Sequence, residues 1–226
     1  MLNASCPISH PRTVVLDVDE TLVHSWENPN FLNTLQVYTD PVMKEALYMG
    51  EENSVYSMIL SDGVNTNMCW GLKRPYLKEF INDVGRFYNI LVWSAGSKDY
   101  VDSIIEQIVR ESNIPYPRVV WTRDKCMTIG GNYHKPLQVL KNHLDTIPCA
   151  VEIDLDRTFM VDDKIYTFYA NPDNGILIPP YNPPPTREGL LDRTDTELLK
   201  LRDWLLQPHV LYAPDVKELY KDDIFK

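Results

Sequence analysis

Five short apolar runs, separated by stretches of helical periodicity, restrict the folds open to this chain. They are Val14-Val15-Leu16, Ile90-Leu91-Val92-Trp93, Val119-Val120-Trp121, Phe159-Met160-Val161 and Ile176-Leu177-Ile178. Strands with no polar face belong to a mostly parallel sheet covered on both sides. Between the runs, apolar residues recur at helical spacing. Leu77, Phe80, Ile81 and Val84 follow Pro75, which suits a first helical turn. Tyr100, Val101, Ile104, Ile105 and Ile108 follow Ser97, an expected N-cap. Leu137, Leu140 and Leu144 follow Pro136. Thr194 and Glu197 have capping-box spacing, so Thr194 is expected to cap a helix carrying Leu198, Leu199, Leu201 and Leu205. The alternation predicts an α/β fold with a doubly wound, mostly parallel sheet.

One segment breaks the alternation. From about residue 27 to 71 the chain has polar loops, a helical stretch over Pro41 to Tyr48, and a hairpin pattern: Val55 to Leu60, a turn at Ser61-Asp62-Gly63, and a return ending at Trp70. It reads as an insertion after the first strand, near the active edge. The 226 residues suit a single domain carrying this insertion, with a tail from about 207 to 226. Pro179-Pro180 and Pro183-Pro184-Pro185 stiffen the loop before the last helix.

Ligands of such sheets bind beyond the carboxyl ends of the strands, and three of those ends carry chemistry. Asp17 and Asp19 follow the first run. Residues two apart on an extended backbone point the same way, so two like charges share one volume. A Mg²⁺ ion, which takes carboxylates, waters and phosphate oxygens, relieves that repulsion. Asp17 is the candidate nucleophile toward phosphorus, and Asp19 the general acid and base. The plainer reading is a turn opened by aspartate. Thr21 is expected to hold the turn by a local hydrogen bond. Ser94 follows the second run and precedes Ala95-Gly96, small residues that let the backbone approach an anion; an ordinary loop serine is the alternative. Asp162-Asp163 ends the fourth run and supplies the far side of a metal site. Lys135, just before a helix, is a candidate for offsetting phosphoryl charge. Arg123 is a possible phosphate fork, or the partner of Asp124 in a surface ion pair. His24 and His134 read as supporting polar residues.

The net charge of −10 argues against broad nucleic-acid binding. Cys6, Cys69, Cys126 and Cys149 form no C-x-x-C pair and have no histidine at zinc-ligand spacing, so reduced thiols are expected. No apolar stretch is long enough to span a bilayer, and neither a signal peptide nor a clustered basic signal is visible. A nuclear or cytoplasmic monomer, without membrane contact, is expected.

The order of these residues resembles the FCP/SCP-type RNA polymerase II C-terminal-domain phosphatases, the NLI-interacting-factor-like group of the haloacid dehalogenase superfamily. The matching motifs are Asp17 to Ser25, Lys73-Arg74-Pro75, Val92 to Ala95, Arg123 to Cys126, Asn132 to Lys135, Val161-Asp162-Asp163 and Asn171 to Asn174, with Asp195 to Leu198 like the start of the family's last helix. The likeness runs from about Arg12 to Leu206. It implies a Rossmann-like haloacid dehalogenase fold, Asp17 as nucleophile, Asp19 as acid and base, and Mg²⁺ among Asp17, the Asp19 backbone carbonyl and Asp163, with Asp162 in the same acidic pair. It further implies phosphate or substrate contacts from Ser94, Tyr100, Arg123 and Lys135. The implied substrate is a phosphorylated protein or peptide, the RNA polymerase II C-terminal domain being one candidate. Several positions depart from the family. Glu20 stands where most of the superfamily has Gly, Ser94 where the family usually has Thr, Asp163 where small members often have Asn, and Pro136 where Asp often follows the lysine. The insertion and the segment Asp145 to Asp156 are longer than in small members.

Three functions remain open on the sequence: a protein serine/threonine phosphatase, a phosphatase of small-molecule, lipid or nucleic-acid phosphates, and a catalytically silent binding relative. Retention of Asp17, Asp19, Lys135 and Asp162 argues against the last.

Overall fold

A computed structural model describes residues 10–27, 30–49, 54–61, 66–148 and 150–226. The strands are β1 (Arg12–Leu16), β2 (Val23–Trp26), β3 (Val55–Ser61), β4 (Thr66–Lys73), β5 (Tyr88–Trp93), β6 (Val120–Trp121), β7 (Met127–Ile129), β8 (Asn132–His134), β9 (Thr158–Asp162) and β10 (Gly175–Leu177). The helices are α1 (Asn30–Thr34), α2 (Pro41–Lys44), α3 (Leu77–Val84), α4 (Lys98–Ser112), α5 (Leu137–Leu144), α6 (Arg187–Leu191), α7 (Glu197–Leu205) and α8 (Pro208–Leu211).

The five apolar runs form one sheet in the order β10-β9-β1-β5-β6, with every pairing parallel. Alternation along each strand divides the core between the two faces. Val14 and Leu16 pack with Phe159, Val161, Ile90 and Val92 against α3, α4 and α7. Val15 packs with Leu91, Trp93 and Met160 against α5, through Leu137, Leu140 and Leu144. Helices on both faces make the sheet doubly wound, as the apolar runs predict.

The insertion forms a second, antiparallel sheet, β2-β4-β3. Its own small core joins Leu32, Val37, Met43, Leu47, Val55, Trp70 and Leu72 to Tyr181 and Leu190 of the proline-rich region. The helical stretch over Pro41 to Tyr48 is α2 followed by a π-helical turn over Glu45–Met49. The turn expected at Ser61-Asp62-Gly63 lies largely outside the described residues, although Ser61 pairs with Thr66 across the hairpin. Sequence reasoning contained no strand at Val23–Trp26. That strand exists because β4 offers it a partner edge, a long-range condition that four residues cannot announce.

Helix starts differ in detail from expectation. The helix after Pro75 begins at Leu77, because Tyr76 adopts a left-handed conformation with φ 64°. Ser97 occupies the N-cap of α4 but its hydroxyl makes no capping bond. Thr194 does not cap α7: its hydroxyl binds Asp192 Oδ1 at 2.7 Å, and the Glu197 N–H donates to Asp195 Oδ1 at 3.1 Å. An ionised carboxylate is a stronger acceptor than a hydroxyl, and Asp195 is already held in place by Arg74. Among the described residues, Cys69 and Cys126 are free thiols, and no helix is long and apolar enough to cross a membrane.

Candidate active site

The register of the central sheet gathers the site. Leu16 of β1 lies opposite both Val92 of β5 and Val161 of β9, and the Asp17 N–H continues the ladder to Val161 O at 3.0 Å. Asp17 therefore comes level with Asp162 at the adjoining strand end. Both lie on the face that carries Val15 and Met160, the face covered by α5. Lys135 stands two residues before α5 and enters from that side. Its Nζ donates to Asp17 Oδ1 and Asp162 Oδ2, each at 2.6 Å. The lysine is 1% exposed.

Burial pushes the Asp17 carboxyl well above the usual carboxylate range, against the pull of Lys135. The paired aspartates in turn hold the Lys135 ammonium above the ordinary lysine range, overcoming its burial. Removing either partner would leave the other buried without a counter-charge. Asp162 also accepts the Lys164 N–H at 2.9 Å through its other oxygen. Asp163 pairs with the Lys164 ammonium; burial still raises its carboxyl from the normal value.

A cavity of 480 Å³ opens over these groups, lined among others by Asp17, Asp19, Tyr100, Arg123, Lys135, Asp162 and Asp163. Seven of the eight sequence-predicted site residues thus meet in one space. The exception is Ser94. It is fully buried beneath the loop, where its Oγ accepts the Gly96 N–H at 2.9 Å. That bond takes up the amide that the small-residue argument offered to an anion, and the buried hydroxyl is not among the groups that line the cavity. A side chain at Gly96 would meet Val101 and Tyr100 at under 3.0 Å, so glycine is needed there for packing.

Arg123 lies at the rim, its Nε donating to Ala95 O at 2.6 Å and its guanidinium over the Tyr133 ring at 5.5 Å. The alternative partner, Asp124, instead binds the Thr122 hydroxyl and Lys125. His24 lies 3.2 Å from Glu20, and His134 is buried beside Tyr169; neither lines the cavity.

The turn that carries Asp19 is held by main chain. Glu20 N–H donates to Val23 O at 2.8 Å and Leu22 N–H to Val18 O at 2.8 Å. The Thr21 hydroxyl is buried and has no hydrogen-bond partner among the described residues, so it does not hold the turn as expected. Glu20 sits at φ 56°, the left-handed region that favours glycine, and this explains why a glycine suits the position. Tyr181 N–H to Glu20 O at 2.7 Å helps impose that conformation. Arg74, 1% exposed, ties the turn to the rest of the molecule. It donates to Thr21 O, to Pro179 O, and with two parallel bonds of 2.9 Å to Asp195.

Carboxylate oxygens of Asp17, Asp162 and Asp163 lie within 4.8 Å of one another. Hard oxygen donors at this spacing fit a divalent cation of the Mg²⁺ type. Lys135 and Lys164 supply only two positive charges against four aspartates, which leaves charge for such an ion to balance. The carboxylate of Asp19 is not in that group. It accepts from the Tyr100 hydroxyl instead, and burial raises its carboxyl from the normal value despite that bond.

Sequence reasoning missed several lining residues. Tyr133 comes from the short strand β8 and Tyr166 from a 3₁₀ turn over Ile165–Phe168, both too short for a periodic signal, and Glu27 follows the unanticipated β2. The hairpin β7–β8, which carries Tyr133, was foreshadowed by Gly130-Gly131. Both glycines have positive φ, 59° and 83°, as a two-residue hairpin turn requires.

A parallel α/β sheet covered on both faces thus carries a buried aspartate–lysine–aspartate bridge at its carboxyl edge. The chain belongs to the NLI interacting factor-like phosphatase family, whose model matches residues 12–217. Among its relatives, CTD small phosphatase-like protein 3 of Caenorhabditis elegans is 27% identical over 209 residues, covering 92% of this chain and 58% of that protein. Nuclear envelope morphology protein 1 of Schizosaccharomyces pombe is 26% identical over 220 residues, covering 97% and 37%. The chain thus spans less than two thirds of the length of these relatives. The solved structure of Fcp1, an essential RNA polymerase II CTD phosphatase, superposes with a TM-score of 0.59 at 19% identity, over 94% of this chain and 58% of that one. That likeness supports the fold.

Proposed function

We propose that the chain is a Mg²⁺-dependent phosphatase that hydrolyses phosphoserine or phosphothreonine in proteins through an aspartyl-phosphate. The observation that carries the reading is the convergence of Asp17, Lys135, Asp162 and Asp163 at adjoining strand ends within one open cavity.

Lys135 holds one oxygen of Asp17 and so fixes the rotamer of the nucleophile. Asp17 attacks phosphorus and the P–O bond to the serine oxygen breaks. Asp19, across the same cavity, gives its proton to the departing oxygen. Asp19 then takes a proton from water, whose oxygen attacks phosphorus, freeing Asp17 and inorganic phosphate. Lys135 and Arg123 face the negative charge of the transferring group. A divalent cation held by Asp17, Asp162 and Asp163 would neutralise phosphoryl charge as a Lewis acid. Six carboxylates and three cations line the cavity, so an anionic substrate is admitted only against such a cation.

The protein-substrate reading is supported by the openness of the cavity beside the insertion and by relatives whose names place them among CTD phosphatases. A relative named for the nuclear envelope favours the nuclear side of the expected location. A panel of phosphopeptides, including heptad-repeat peptides, assayed beside free nucleotides with and without Mg²⁺, tests it. Phosphoserine peptides should turn over only with the metal, and Asp17→Asn should lower the rate more than about 1,000-fold. An Asp17→Asn protein as active as wild type would exclude the mechanism; preference for nucleotides would exclude the substrate class.

A further inference from the structure

Asp19 is reached by a chain of hydroxyls that begins in the insertion. The Tyr100 hydroxyl donates to Asp19 Oδ1. Ser25 Oγ lies 2.5 Å from the Tyr100 hydroxyl and 2.6 Å from that of Tyr56. Counting protons fixes the direction of the chain. Tyr100 has one proton and gives it to the carboxylate, so its oxygen must accept from Ser25. Ser25 then has no proton left for Tyr56 and accepts from it at 2.6 Å, a much closer contact than the 3.4 Å between the Tyr56 hydroxyl and its other acceptor, His24 O. The order is Tyr56 to Ser25 to Tyr100 to Asp19.

The insertion's sheet is built to place this chain. Tyr56, Gly71 and Ser25 form one cross-strand row, Tyr56 opposite Gly71 and Gly71 opposite Ser25. A methyl at Gly71 would fall 2.3 Å from the Tyr56 hydroxyl. The missing side chain is therefore the slot through which the Tyr56 ring crosses β4 to reach Ser25. Tyr56 is 1% exposed, so its hydroxyl has no bulk water as an alternative.

We propose that Ser25 and Tyr56 are positioning residues for the acid step, acting through Tyr100 to orient Asp19. With Oδ1 engaged as an acceptor, the proton of the acid is confined to Oδ2, and the carboxyl plane is fixed toward the departing oxygen. The insertion is thereby wired to the chemistry as well as bordering the site. The inference rests on the reading of Asp19 as the general acid.

The test uses two substrates that differ in their need for an acid. Serine phosphate leaves as an alkoxide and requires protonation, whereas p-nitrophenyl phosphate leaves as a stable phenolate. The measured quantity is kcat/KM, which reports steps up to formation of the aspartyl-phosphate and is blind to its hydrolysis. Tyr56→Phe removes one hydroxyl and keeps the ring. It should lower kcat/KM for a phosphoserine peptide about 10-fold, a part of the 10²–10⁴ typical of a whole general acid. The value for p-nitrophenyl phosphate should change less than about 2-fold. Ser25→Ala should reproduce the split, and the two changes together should cost no more than either alone, since they interrupt one chain. Equal losses on both substrates, or no loss on either, would overturn the proposal. Asp17→Asn separates this outcome from failure of the mechanism itself, because losing the nucleophile abolishes turnover of both substrates.

Discussion

Replacing Lys135 with alanine removes the one buried cation between Asp17 and Asp162. Two charge-assisted hydrogen bonds of 2.6 Å disappear, and two carboxylates exposed by only 9% and 2% are left facing each other. Hydrogen bonds to charged groups contribute about 1.5–3 kcal/mol each, and breaking a buried pair from one side costs about 3–5 kcal/mol. The two aspartates have an escape that a lone ion lacks, since they can share a proton. The lower end, about 3 kcal/mol, is therefore the expected loss at neutral pH. For a chain of this size that is a fall of about 6–12 °C in Tm. The sign of the pH dependence follows from the same geometry. Burial already holds the Asp17 carboxyl high. Without the lysine it rises further, so the folded variant binds protons more readily than the unfolded chain. Its stability is then greatest below the unfolded aspartate range and is lost as pH rises through the elevated folded value. The gap to wild type should be wide at pH 8 and narrow at pH 5, and Mg²⁺ should narrow it at either pH by replacing the missing charge. Thermal melts of both proteins, in EDTA and in Mg²⁺, measure all of this. A variant melting within about 2 °C of wild type at pH 8 in EDTA, or a gap that widens on acidification, would refute the account of the bridge.

Gly71→Ala should destabilise by about 1–3 kcal/mol, because the new methyl falls 2.3 Å from both His24 O and the Tyr56 hydroxyl; a melt unchanged from wild type would show that the cross-strand slot is not tight. Asp40 caps α2 and pairs with Arg187, and these bonds lower its carboxyl to about 2. Its contribution to holding the insertion is therefore present above the ordinary aspartate value of 3.8 and is lost as pH falls through about 2. Limited proteolysis of wild type and Asp40→Asn should show insertion cleavage rising in the variant at pH 7, with the two proteins converging toward pH 2.

How much was legible in the sequence differs from residue to residue. Asp17 and Asp162 were readable because each ends an apolar run, and a parallel sheet aligns such ends. Tyr100 was available as a site residue only through family likeness, for a tyrosine on a helix has no local signal of a shared cavity, and Arg123 was legible locally only as either a phosphate fork or a surface partner of Asp124. Ser94 followed the same strand-end rule yet turned inward: two residues after Val92 it shares that residue's face of the sheet, opposite to that of Asp17, and its hydroxyl accepts the Gly96 N–H at 2.9 Å. Thr194 had the spacing of a cap and lost the role to Asp195, whose position is set by Arg74 from 121 residues away.

Local pattern alone determined the five strands of the central sheet, the two-faced core, and which strand ends would carry acids, because side-chain period and hydrophobic burial are properties of neighbours along the chain. Tertiary structure alone decided what those acids touch: the lysine that bridges two strand ends, and the row Tyr56–Gly71–Ser25 that leads to Asp19. Hydrogen bonds reach about 3 Å, so partners remote in sequence are chosen by register and packing, and no stretch of sequence specifies either by itself.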